Sequence, residues 1–393
     1  MIQRDYLILG SGVGGASACE AIRRYDKRGS VTLVGAEVFH PYKRWILSKN
    51  FLREKTAPLK SLPLFEPAWY TSHKIETRFG TVVTQLNIDR RLAVLANGET
   101  IEFNKACLAM GSRPVRPLVA GTSLGNVIYL RTVRDALALR EMAGVEKTVM
   151  VVGGGLLACE VAASLRQLKL KVGIMHRSGY LLNRYIDPNT GAWLTDYFAK
   201  HGITMLMGES LNGFEGKTVL RNIQTKSGNR VPAGLAVLCY GAEPNLDLVR
   251  NTPLAGPHGS PVSDSLETEE KGIYAVGDLA FYPDRLMGGM RRQTHWENAR
   301  EQGLVAGANM TGKKRLRYEQ IPYFWTEIFD LRLDFVGDFS IQPTRIEMSG
   351  TQAKKKFIAQ YYQADKLRGI LLCQQSPREV DSAKTQLRRA VSK

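Results

Sequence analysis

The hydrophobic pattern near the N-terminal end predicts a strand, a helix and a second strand. Apolar residues at 6–9 lead straight into three glycines spaced as G-x-G-x-x-G from position 10. Helical character follows over residues 16–25, and a second apolar run covers residues 31–34. A strand, a glycine-rich turn, a helix and a strand in this order are typical of the start of a dinucleotide-binding fold.

The same pattern returns 143 residues further along the chain. Residues 149–152 are apolar, and Gly153, Gly155 and Ala158 follow at the spacing of the first glycine turn. Helical character over residues 159–168 then precedes an apolar run at 172–175. We interpret this as an internal duplication, so two βαβ starts are expected in one chain.

Each copy continues with antiparallel β-structure. Residues 82–101 alternate between apolar and polar around Asn97-Gly98, and residues 219–233 do so around a turn at 227–229. Glycine-containing turns between alternating runs predict β-hairpins. Each hairpin leads into an apolar strand, which returns the chain to the parallel sheet.

A third glycine site and a change of character mark the last part of the chain. A short strand ends at Gly277-Asp278, and a helix is predicted over residues 295–310. Beyond Tyr318 short strands alternate with turn residues, and a basic helix is predicted over residues 382–391. The short strands are predicted at 324–329, 333–337, 357–362 and 369–373.

The predicted fold class is α/β, with two Rossmann-like doubly wound dinucleotide-binding domains and a C-terminal α+β domain. One dinucleotide-binding domain is expected in two parts, residues 1–114 and 243–312. The other is expected at residues 115–242, and the C-terminal domain at residues 313–393.

Composition adds a strong positive charge to this picture. Lys and Arg total 54 against 37 Asp and Glu, which gives a formal net charge of +17. Such a charge predicts attraction to nucleic acid, anionic lipid or an acidic protein. Each local cluster of cations, taken alone, is more typical of a solvated face. The sequence contains no zinc knuckle, helix-turn-helix or basic–aromatic stacking motif, so nucleic acid is a less favoured partner.

Cysteine usage and the N-terminal residues predict a cytoplasmic protein. The five cysteines are widely spaced without a CxxC pair, so we expect buried free thiols and neither disulfides nor a metal site. The N-terminal residues lack the pattern of a signal peptide. The sequence contains no run of about 18 apolar residues, so no membrane span is expected.

The first glycine turn supplies the candidate chemistry of a dinucleotide site. Gly10, Gly12 and Gly15 would let backbone amides and a helix N-terminus face a pyrophosphate. Glu37 follows the second strand, where a carboxylate accepts hydrogen bonds from an adenosine ribose. The alternatives are a tight turn without a ligand and a loop carboxylate without contacts.

The second glycine turn, at Gly153 and Gly155, implies a second dinucleotide. A flavin that stays bound and a nicotinamide that comes and goes are the usual reason for two such sites. His176 and Arg177 stand after the second strand of this copy, with Arg184 nearby, where an acid would favour a free ribose hydroxyl. Cations favour a 2′-phosphate, which predicts NADPH over NADH. The alternative is that these residues only add to a basic surface.

Lys49 and Glu160 form a candidate pair beside the reacting rings. Glu160 is predicted in the first turn of the second glycine-turn helix, where the helix dipole favours an anion. A lysine paired with it could hydrogen-bond a flavin near its hydride-accepting nitrogen. The alternative for Glu160 is a helix charge with no further role.

A series of short motifs runs over nearly the whole chain. In order they are GSGVGG from Gly10, PYKR from Pro41, LSK from Leu47, AMGSRP from Ala109, GGG from Gly153 with Cys159-Glu160, GAEPN from Gly241, IYAVGD from Ile273, HWENA from His295 and PYFW from Pro322. This series resembles the two-dinucleotide flavoprotein reductases of the ferredoxin reductase and rubredoxin reductase type. The apoptosis-inducing-factor group is similar.

The resemblance implies a glutathione-reductase-like architecture, with FAD on the first dinucleotide-binding domain and a nicotinamide on the second. It implies Arg44 at the FAD pyrophosphate and Asp278 at the ribitol chain. It also implies a catalytic setting of Lys49, Glu160 and Trp296 beside the flavin ring. The further cofactor-binding positions that it implies are Gly14, Ala109, Gly111, Arg131, Leu156, Gly241, Gly277, His295 and Trp325.

The chain departs from the family pattern in three places. Trp45-Ile46 stand where the family usually has two prolines, Met110 replaces a threonine, and His176 replaces the acid of NADH-dependent members. In addition, the sequence has no cysteine between positions 19 and 107, so dithiol or sulfenic-acid chemistry at a flavin is not expected.

Together these features predict an FAD-dependent NAD(P)H oxidoreductase that passes hydride from nicotinamide to FAD and electrons on to an acceptor. The expected acceptor is a small acidic iron–sulfur protein, ferredoxin or rubredoxin, because a basic chain would attract it. Two alternatives stay open. One is a basic flavoprotein scaffold of the apoptosis-inducing-factor type that binds nucleic acid or a protein, and the other is a reductase of a small molecule such as a quinone. A monomer or a homodimer is expected.

Overall fold

The computed structural model describes residues 2–54 and 59–391. The helices are α1 Val13–Tyr25, α2 Asn50–Arg53, α3 Pro67–Ser72, α4 Val133–Val145, α5 Leu156–Gln167, α6 Pro188–Lys200, α7 Trp296–Met310 and α8 Pro377–Val391. The strands are β1 Ile2–Leu9, β2 Val31–Gly35, β3 Ile75–Phe79, β4 Val83–Asn87, β5 Leu92–Leu95, β6 Thr100–Leu108, β7 Ser112–Pro114, β8 Val127–Tyr129, β9 Thr148–Val152, β10 Lys171–His176, β11 Thr204–Met207, β12 Leu211–Gly216, β13 Leu220–Thr225, β14 Arg230–Pro232, β15 Leu235–Leu238, β16 Ala242–Pro244, β17 Ser260–Pro261, β18 Ile273–Ala275, β19 Ala280–Pro283, β20 Met290–Arg291, β21 Tyr323–Ile328, β22 Leu331–Gly337, β23 Arg345–Thr351, β24 Lys356–Gln363 and β25 Lys366–Cys373.

These elements belong to two compact units. Unit 1 comprises the described parts of residues 1–43, 59–113 and 243–323. Unit 2 comprises the described parts of residues 44–58, 114–242 and 324–393. The predicted division at residues 114, 242 and 312 stays a prediction.

Unit 1 is built on one mixed sheet. Its strand order is β3-β2-β1-β6-β5-β4, with β18 added to β6. The pairs from β3 to β6 and the pair of β18 with β6 are parallel, whereas β4, β5 and β6 pair antiparallel. Every residue of β2 is buried, as expected for a central parallel strand covered on both faces. The predicted βαβ start and the hairpin at Asn97-Gly98 are therefore confirmed.

Helices α1 and α7 pack closely in unit 1 because glycines line their contact. A Cβ atom added to Gly303 would lie 2.3 Å from the carbonyl oxygen of Gly14, and one added to Gly307 would lie 2.3 Å from that of Ala18. Only a residue without a Cβ allows the two backbones to approach this far. This contact places the start of α7 next to the glycine turn that precedes α1.

Unit 2 contains the second parallel sheet. Its order is β11-β10-β9-β15-β8, and each neighbouring pair is parallel. The predicted hairpin around Ser227-Gly228-Asn229 is formed by β13 and β14, which pair antiparallel next to β12. The duplication predicted from the sequence is thus present as two sets of parallel strands, each with an antiparallel β-excursion.

The last part of unit 2 is an antiparallel sheet with order β21-β22-β25-β24-β23. Helix α8 covers it through a buried stripe of Val380, Ala383 and Leu387. The helix begins five residues before the predicted start at position 382. Strand β23 was not predicted, because this edge strand is exposed along almost its whole length and its apolar alternation is limited to Ile346 and Met348. Within the described residues no helix is both long and apolar enough to cross a lipid bilayer.

Candidate functional site

The glycine turn of unit 1 lies between β1 and α1. Gly10 has a φ of +119°, and a Cβ there would lie 2.2 Å from the carbonyl oxygen of Ala109. A Cβ at Gly15 would lie 2.0 Å from the carbonyl oxygen of Gly10. Side chains at these two positions would therefore clash with the backbone that shapes the turn.

The start of α1 is open and uncapped. Gly12 is the residue before the helix, no side chain within the described residues caps it, and a Cβ there would meet no atom within 4 Å. The first amides of a helix have no partner inside the helix, and they carry the positive end of its dipole. This end of the helix is suited to a phosphate group.

Two carboxylates of unit 1 are held by hydroxyl groups. Glu37, two residues beyond β2, accepts a hydrogen bond of 2.7 Å from the Tyr42 hydroxyl. Asp278, in the 3-10 turn Gly277–Leu279, accepts one of 2.6 Å from the Ser112 hydroxyl and is 9% exposed. The carboxylate predicted for the ribose and the one predicted for the ribitol chain are thus both fixed by neighbours.

The start of α7 adds His295 and Trp296. Burial lowers the pKa of His295 to about 4, although the Asp278 carboxylate acts in the opposite direction. This imidazole is therefore neutral at neutral pH. The Nε1 atom of Trp296 is buried and has no hydrogen-bond partner in the part of the chain that the structure describes. An unpartnered buried donor of this kind is what a bound ligand satisfies.

Unit 1 fits a dinucleotide such as FAD on these observations. The turn leaves space over Gly12 that a side chain would fill. Among the described residues no side chain caps the helix start, and the buried Nε1 atom of Trp296 has no partner. Gly111, with a φ of +68°, and Gly277, with a φ of +71°, adopt conformations that favour glycine.

The glycine turn of unit 2 repeats this geometry between β9 and α5. Gly153 has a φ of +137°, and a Cβ there would lie 2.4 Å from the carbonyl oxygen of Cys239. Gly155 precedes the helix, has open space around it and is not capped by a side chain within the described residues. Leu156 is the first helical residue, and Gly241 beyond β15 has a φ of +96°.

The cations predicted for a 2′-phosphate follow β10. His176 ends the strand, and its Nε2 lies 3.0 Å from Asn183 Oδ1. Burial lowers the pKa of His176, so its ring is a neutral hydrogen-bonding group at neutral pH. Arg177 and Arg184 are exposed, and among the residues that the structure describes neither forms an ion pair. Positive charge at this site therefore comes from the two arginines.

Lys49 and Glu160 form a buried ion pair in unit 2. Their Nζ and Oε1 atoms are 2.6 Å apart, with side chains 5% and 9% exposed. Glu160 also accepts hydrogen bonds from the Ser48 hydroxyl at 2.5 Å and the Thr326 hydroxyl at 2.7 Å. Three donors on one buried carboxylate offset much of the cost of removing its charge from water.

The prediction that Glu160 lies in the first turn of α5 is wrong. Gly155 has the extended conformation of a residue before a helix, so α5 begins at Leu156 and Glu160 falls in its second turn. The first turn contains no acid. Lys49 and the two hydroxyls therefore stabilise the carboxylate, and the dipole of the helix end contributes less.

Two tryptophans surround the Lys49 ammonium. Its Nζ lies 4.9 Å from the centre of the Trp325 ring and 5.9 Å from that of the Trp45 ring. The two rings meet edge to face at 5.1 Å. Arg332 lies 4.7 Å from the Trp325 ring centre and is paired with Asp334 at 2.9 Å. Trp45, which replaces a family proline, is thus part of this cluster.

Arg44 and Arg131 are also brought together in unit 2. The Arg44 guanidinium donates to the carbonyl oxygen of Arg131 at 2.6 Å. The roles of these two residues, and of the Lys49–Glu160 pair, beside a flavin stay predictions.

The sequence analysis missed three hydroxyl donors at these sites, Tyr42, Ser112 and Thr326. Each contacts a predicted carboxylate only after the chain has folded, and Thr326 is 166 residues from Glu160. Sequence position offered a partial signal, because Ser48 is next to Lys49, Ser112 is next to Gly111 and Thr326 is next to Trp325. Within the described residues no group of three or more His, Cys, Asp or Glu side chains could hold a metal ion.

Two sets of parallel strands, each with an open glycine turn at a helix start, are typical of a two-dinucleotide oxidoreductase. Residues 4–303 match the family described as pyridine nucleotide-disulphide oxidoreductase, and the chain belongs to this family. It is therefore an oxidoreductase that uses FAD and a nicotinamide dinucleotide.

Individual relatives are similar over most of the chain. The benzene 1,2-dioxygenase system ferredoxin–NAD(+) reductase subunit of Pseudomonas putida is 33% identical over 84% of this chain and 80% of its own. The chlorobenzene dioxygenase ferredoxin reductase component of Cupriavidus sp. is 34% identical over 88% of this chain and 83% of its own. The reductase in a covalent putidaredoxin reductase–putidaredoxin complex is 28% identical, with a TM-score of 0.93 over 99% of this chain and 94% of that one.

Proposed function

We propose that unit 1 binds FAD, that unit 2 binds NADPH, and that the enzyme delivers electrons to a small acidic iron–sulfur protein. One observation carries the assignment of the two cofactors. In each unit a glycine turn joins a parallel strand to a helix, and no side chain in the described part of the chain caps the start of that helix. Bound FAD would take hydride from the nicotinamide and release electrons to the acceptor.

In unit 1 a helix start and two carboxylates held by hydroxyl groups supply the proposed ligands of FAD. The amides at the start of α1 bind the pyrophosphate, because no side chain in the described parts of the chain caps this helix. Glu37, held by Tyr42, accepts from the ribose, and Asp278, held by Ser112, accepts from the ribitol chain. A held carboxylate loses less conformational entropy on binding than a free one.

In unit 2 the proposed preference is for NADPH. Arg177 and Arg184 supply two exposed guanidinium groups beyond β10, where a carboxylate would favour NADH. Arginine can bind a phosphate through two parallel hydrogen bonds. The relative from Pseudomonas putida is named for NAD(+), so this proposed preference is a difference between the two proteins.

The proposed acceptor is a ferredoxin-like protein. Relatives named for ferredoxin cover most of this chain, and a net charge of +17 would speed encounter with an acidic partner. The thiols do not favour disulfide chemistry. Burial raises the pKa of each one, to about 12 for Cys19, Cys239 and Cys373, so the reactive thiolate is scarce.

The test is a comparison of acceptors with the purified holoenzyme. NADPH or NADH is supplied with an acidic ferredoxin, a rubredoxin or a quinone, and kcat/KM is measured for each. We expect the iron–sulfur proteins to exceed the quinone by about tenfold or more, a difference of ~1.4 kcal/mol. Turnover with the quinone and with neither iron–sulfur protein would contradict the proposed acceptor, but it would agree with a flavoenzyme. The cytoplasmic location stays a prediction.

A further inference from the structure

Helix α7 carries three buried amide side chains, and two of them, Asn298 and Gln302, lie one helical turn apart. Gln302 is 0% exposed and Asn298 is 4% exposed. A polar group buried in a helix interior destabilises the fold unless it is hydrogen-bonded. Both amides are hydrogen-bonded, and Gln302 connects α7 to the turn that contains Asp278.

Gln302 binds an amide that the 3-10 turn cannot satisfy itself. Gly277 opens the turn Gly277–Leu279, and the first amides of a helical turn have no partner inside it. The Oε1 atom of Gln302 accepts a hydrogen bond of 2.7 Å from the Gly277 amide in a buried setting. A Cβ at Gly277 would lie 3.1 Å from the Ala299 Cβ, so the turn rests directly on α7.

The orientation of the Gln302 amide is set by its other neighbour. Its Nε2 donates to Asn298 Oδ1 at 3.4 Å. The same Oδ1 atom accepts from the Tyr318 hydroxyl at 2.8 Å and the Tyr282 hydroxyl at 3.1 Å, while Asn298 Nδ2 donates to the Gln293 carbonyl. Asn298 therefore presents oxygen to Gln302, which leaves the Gln302 oxygen for Gly277.

We infer that Gln302 is a positioning residue for the FAD site of unit 1. It holds the Gly277 amide, and thereby fixes the backbone from which the Asp278 carboxylate projects towards the Ser112 hydroxyl. This inference rests on the proposed function, in which Asp278 binds the ribitol chain. Gln302 itself acts through the turn and is assigned no contact with the cofactor.

The test measures FAD retention by the holoenzyme. The dissociation constant for FAD is obtained from free-flavin fluorescence on dilution, and thermal unfolding is followed on the apoprotein. Gln302→Leu and Gln302→Met both remove the hydrogen-bond acceptor. Gln302→Met keeps the side-chain length and is used if Gln302→Leu does not fold. We expect the dissociation constant to rise about tenfold or more, because a buried amide is left unsatisfied.

Two further variants separate positioning from general stability. Gln302→Glu keeps an acceptor for the Gly277 amide, and when protonated it can also donate to Asn298, so it should retain FAD within about threefold of the wild type. Asn309→Leu is the matched control. Asn309 is another buried amide of α7, but it donates to the Ser265 and Leu316 carbonyls at 2.9 Å. Asn309→Leu should lower the apoprotein Tm and leave the FAD dissociation constant within about twofold of the wild-type value.

The outcomes separate a failure of FAD binding from a failure of the positioning role of Gln302. A wild type that binds no FAD overturns the proposed function and this inference with it. The positioning role alone is overturned if the wild type binds FAD and if Gln302→Leu and Gln302→Met raise the FAD dissociation constant no more than Asn309→Leu does. Loss of FAD in both Gln302 variants with rescue in Gln302→Glu supports it.

Discussion

At the residue scale, the buried Lys49–Glu160 ion pair allows a specific prediction about the stability of the fold. Removing one partner of a buried ion pair leaves an uncompensated charge, at a cost of about 3–5 kcal/mol. We therefore expect Lys49→Met to lower the free energy of unfolding by about 3 kcal/mol, and Lys49→Met/Glu160→Gln to lower it by clearly less. Urea denaturation measures both values.

A surface pair provides the control for this experiment. Lys200 and Asp196 form an exposed pair on α6, with side chains 74% and 58% exposed. Lys200→Met should change the free energy of unfolding by about 0.5 kcal/mol or less. Equal losses in Lys49→Met and the double variant would mean that Glu160 is not left uncompensated.

A second residue-scale prediction concerns the choice of nucleotide. Arg177→Ser should raise the KM for NADPH by about tenfold, because it removes one charge-assisted hydrogen bond to a phosphate. The KM for NADH should stay unchanged. Lys226→Ser, which removes an exposed cation from the turn before β14, is the control. If Arg177→Ser raises both KM values equally, Arg177 does not contact the 2′-phosphate.

What could be predicted for single residues depended on how local their contacts are. The glycines of the two turns could be predicted because their spacing encodes the turn itself. The Ser112 and Thr326 contacts could not, because they join residues far apart in the chain. The lowered pKa of His176 was likewise beyond the sequence, since it follows from burial.

At the scale of elements, the contact of α1 with α7 rests on glycines. Gly307→Ala would place a Cβ 2.3 Å from the Ala18 carbonyl oxygen, and backbone cannot move aside as a side chain does. We expect a loss of roughly 2 kcal/mol in the free energy of unfolding. Thermal or urea unfolding of the variant measures it.

Gly144 gives the matched comparison, because it is also a helical glycine but a Cβ there meets no atom within 4 Å. Gly144→Ala should stabilise the protein by up to about 1 kcal/mol through helix propensity. Equal effects of the two substitutions would show that the α1–α7 approach is not limited by the missing Cβ.

Elements were predictable where burial follows a period. Both βαβ starts and both hairpins carry clear apolar alternation or apolar runs, and both are present in the structure. Strand β23 lacks that signal because it is an exposed edge. The start of α5 was predicted three residues late, because its first residues follow the glycines without a capping side chain.

At the scale of the whole molecule, the net charge of +17 predicts a salt effect confined to one half-reaction. Encounter with an acidic ferredoxin is steered over long range, and the Debye length falls from ~10 Å at 0.1 M to ~3 Å at 1 M salt. The acceptor step should therefore slow steeply with salt, while reduction by bound NADPH changes little. Equal salt effects on both steps would mean that charge does not recruit the acceptor.

Basic residues of the C-terminal sheet allow that prediction to be narrowed. Lys354 and Lys356 are exposed near its edge, whereas Lys355 is half-buried and partly neutralised by Asp330 at 2.9 Å. Changing all three to Glu should weaken ferredoxin reduction and spare ferricyanide. If ferredoxin reduction is unaffected, these lysines serve only as a solvated face.

The central claim is that one chain carries electrons from a nicotinamide through FAD to an iron–sulfur protein. Anaerobic rapid mixing tests it most directly, because it follows the two half-reactions separately. The purified protein is mixed first with NADPH and then with oxidised ferredoxin, and its visible flavin absorbance is recorded. We expect one FAD per chain, loss of its absorbance with NADPH, and recovery of the absorbance with ferredoxin. Flavin absorbance that neither NADPH nor NADH diminishes, or a folded protein without FAD, would contradict it.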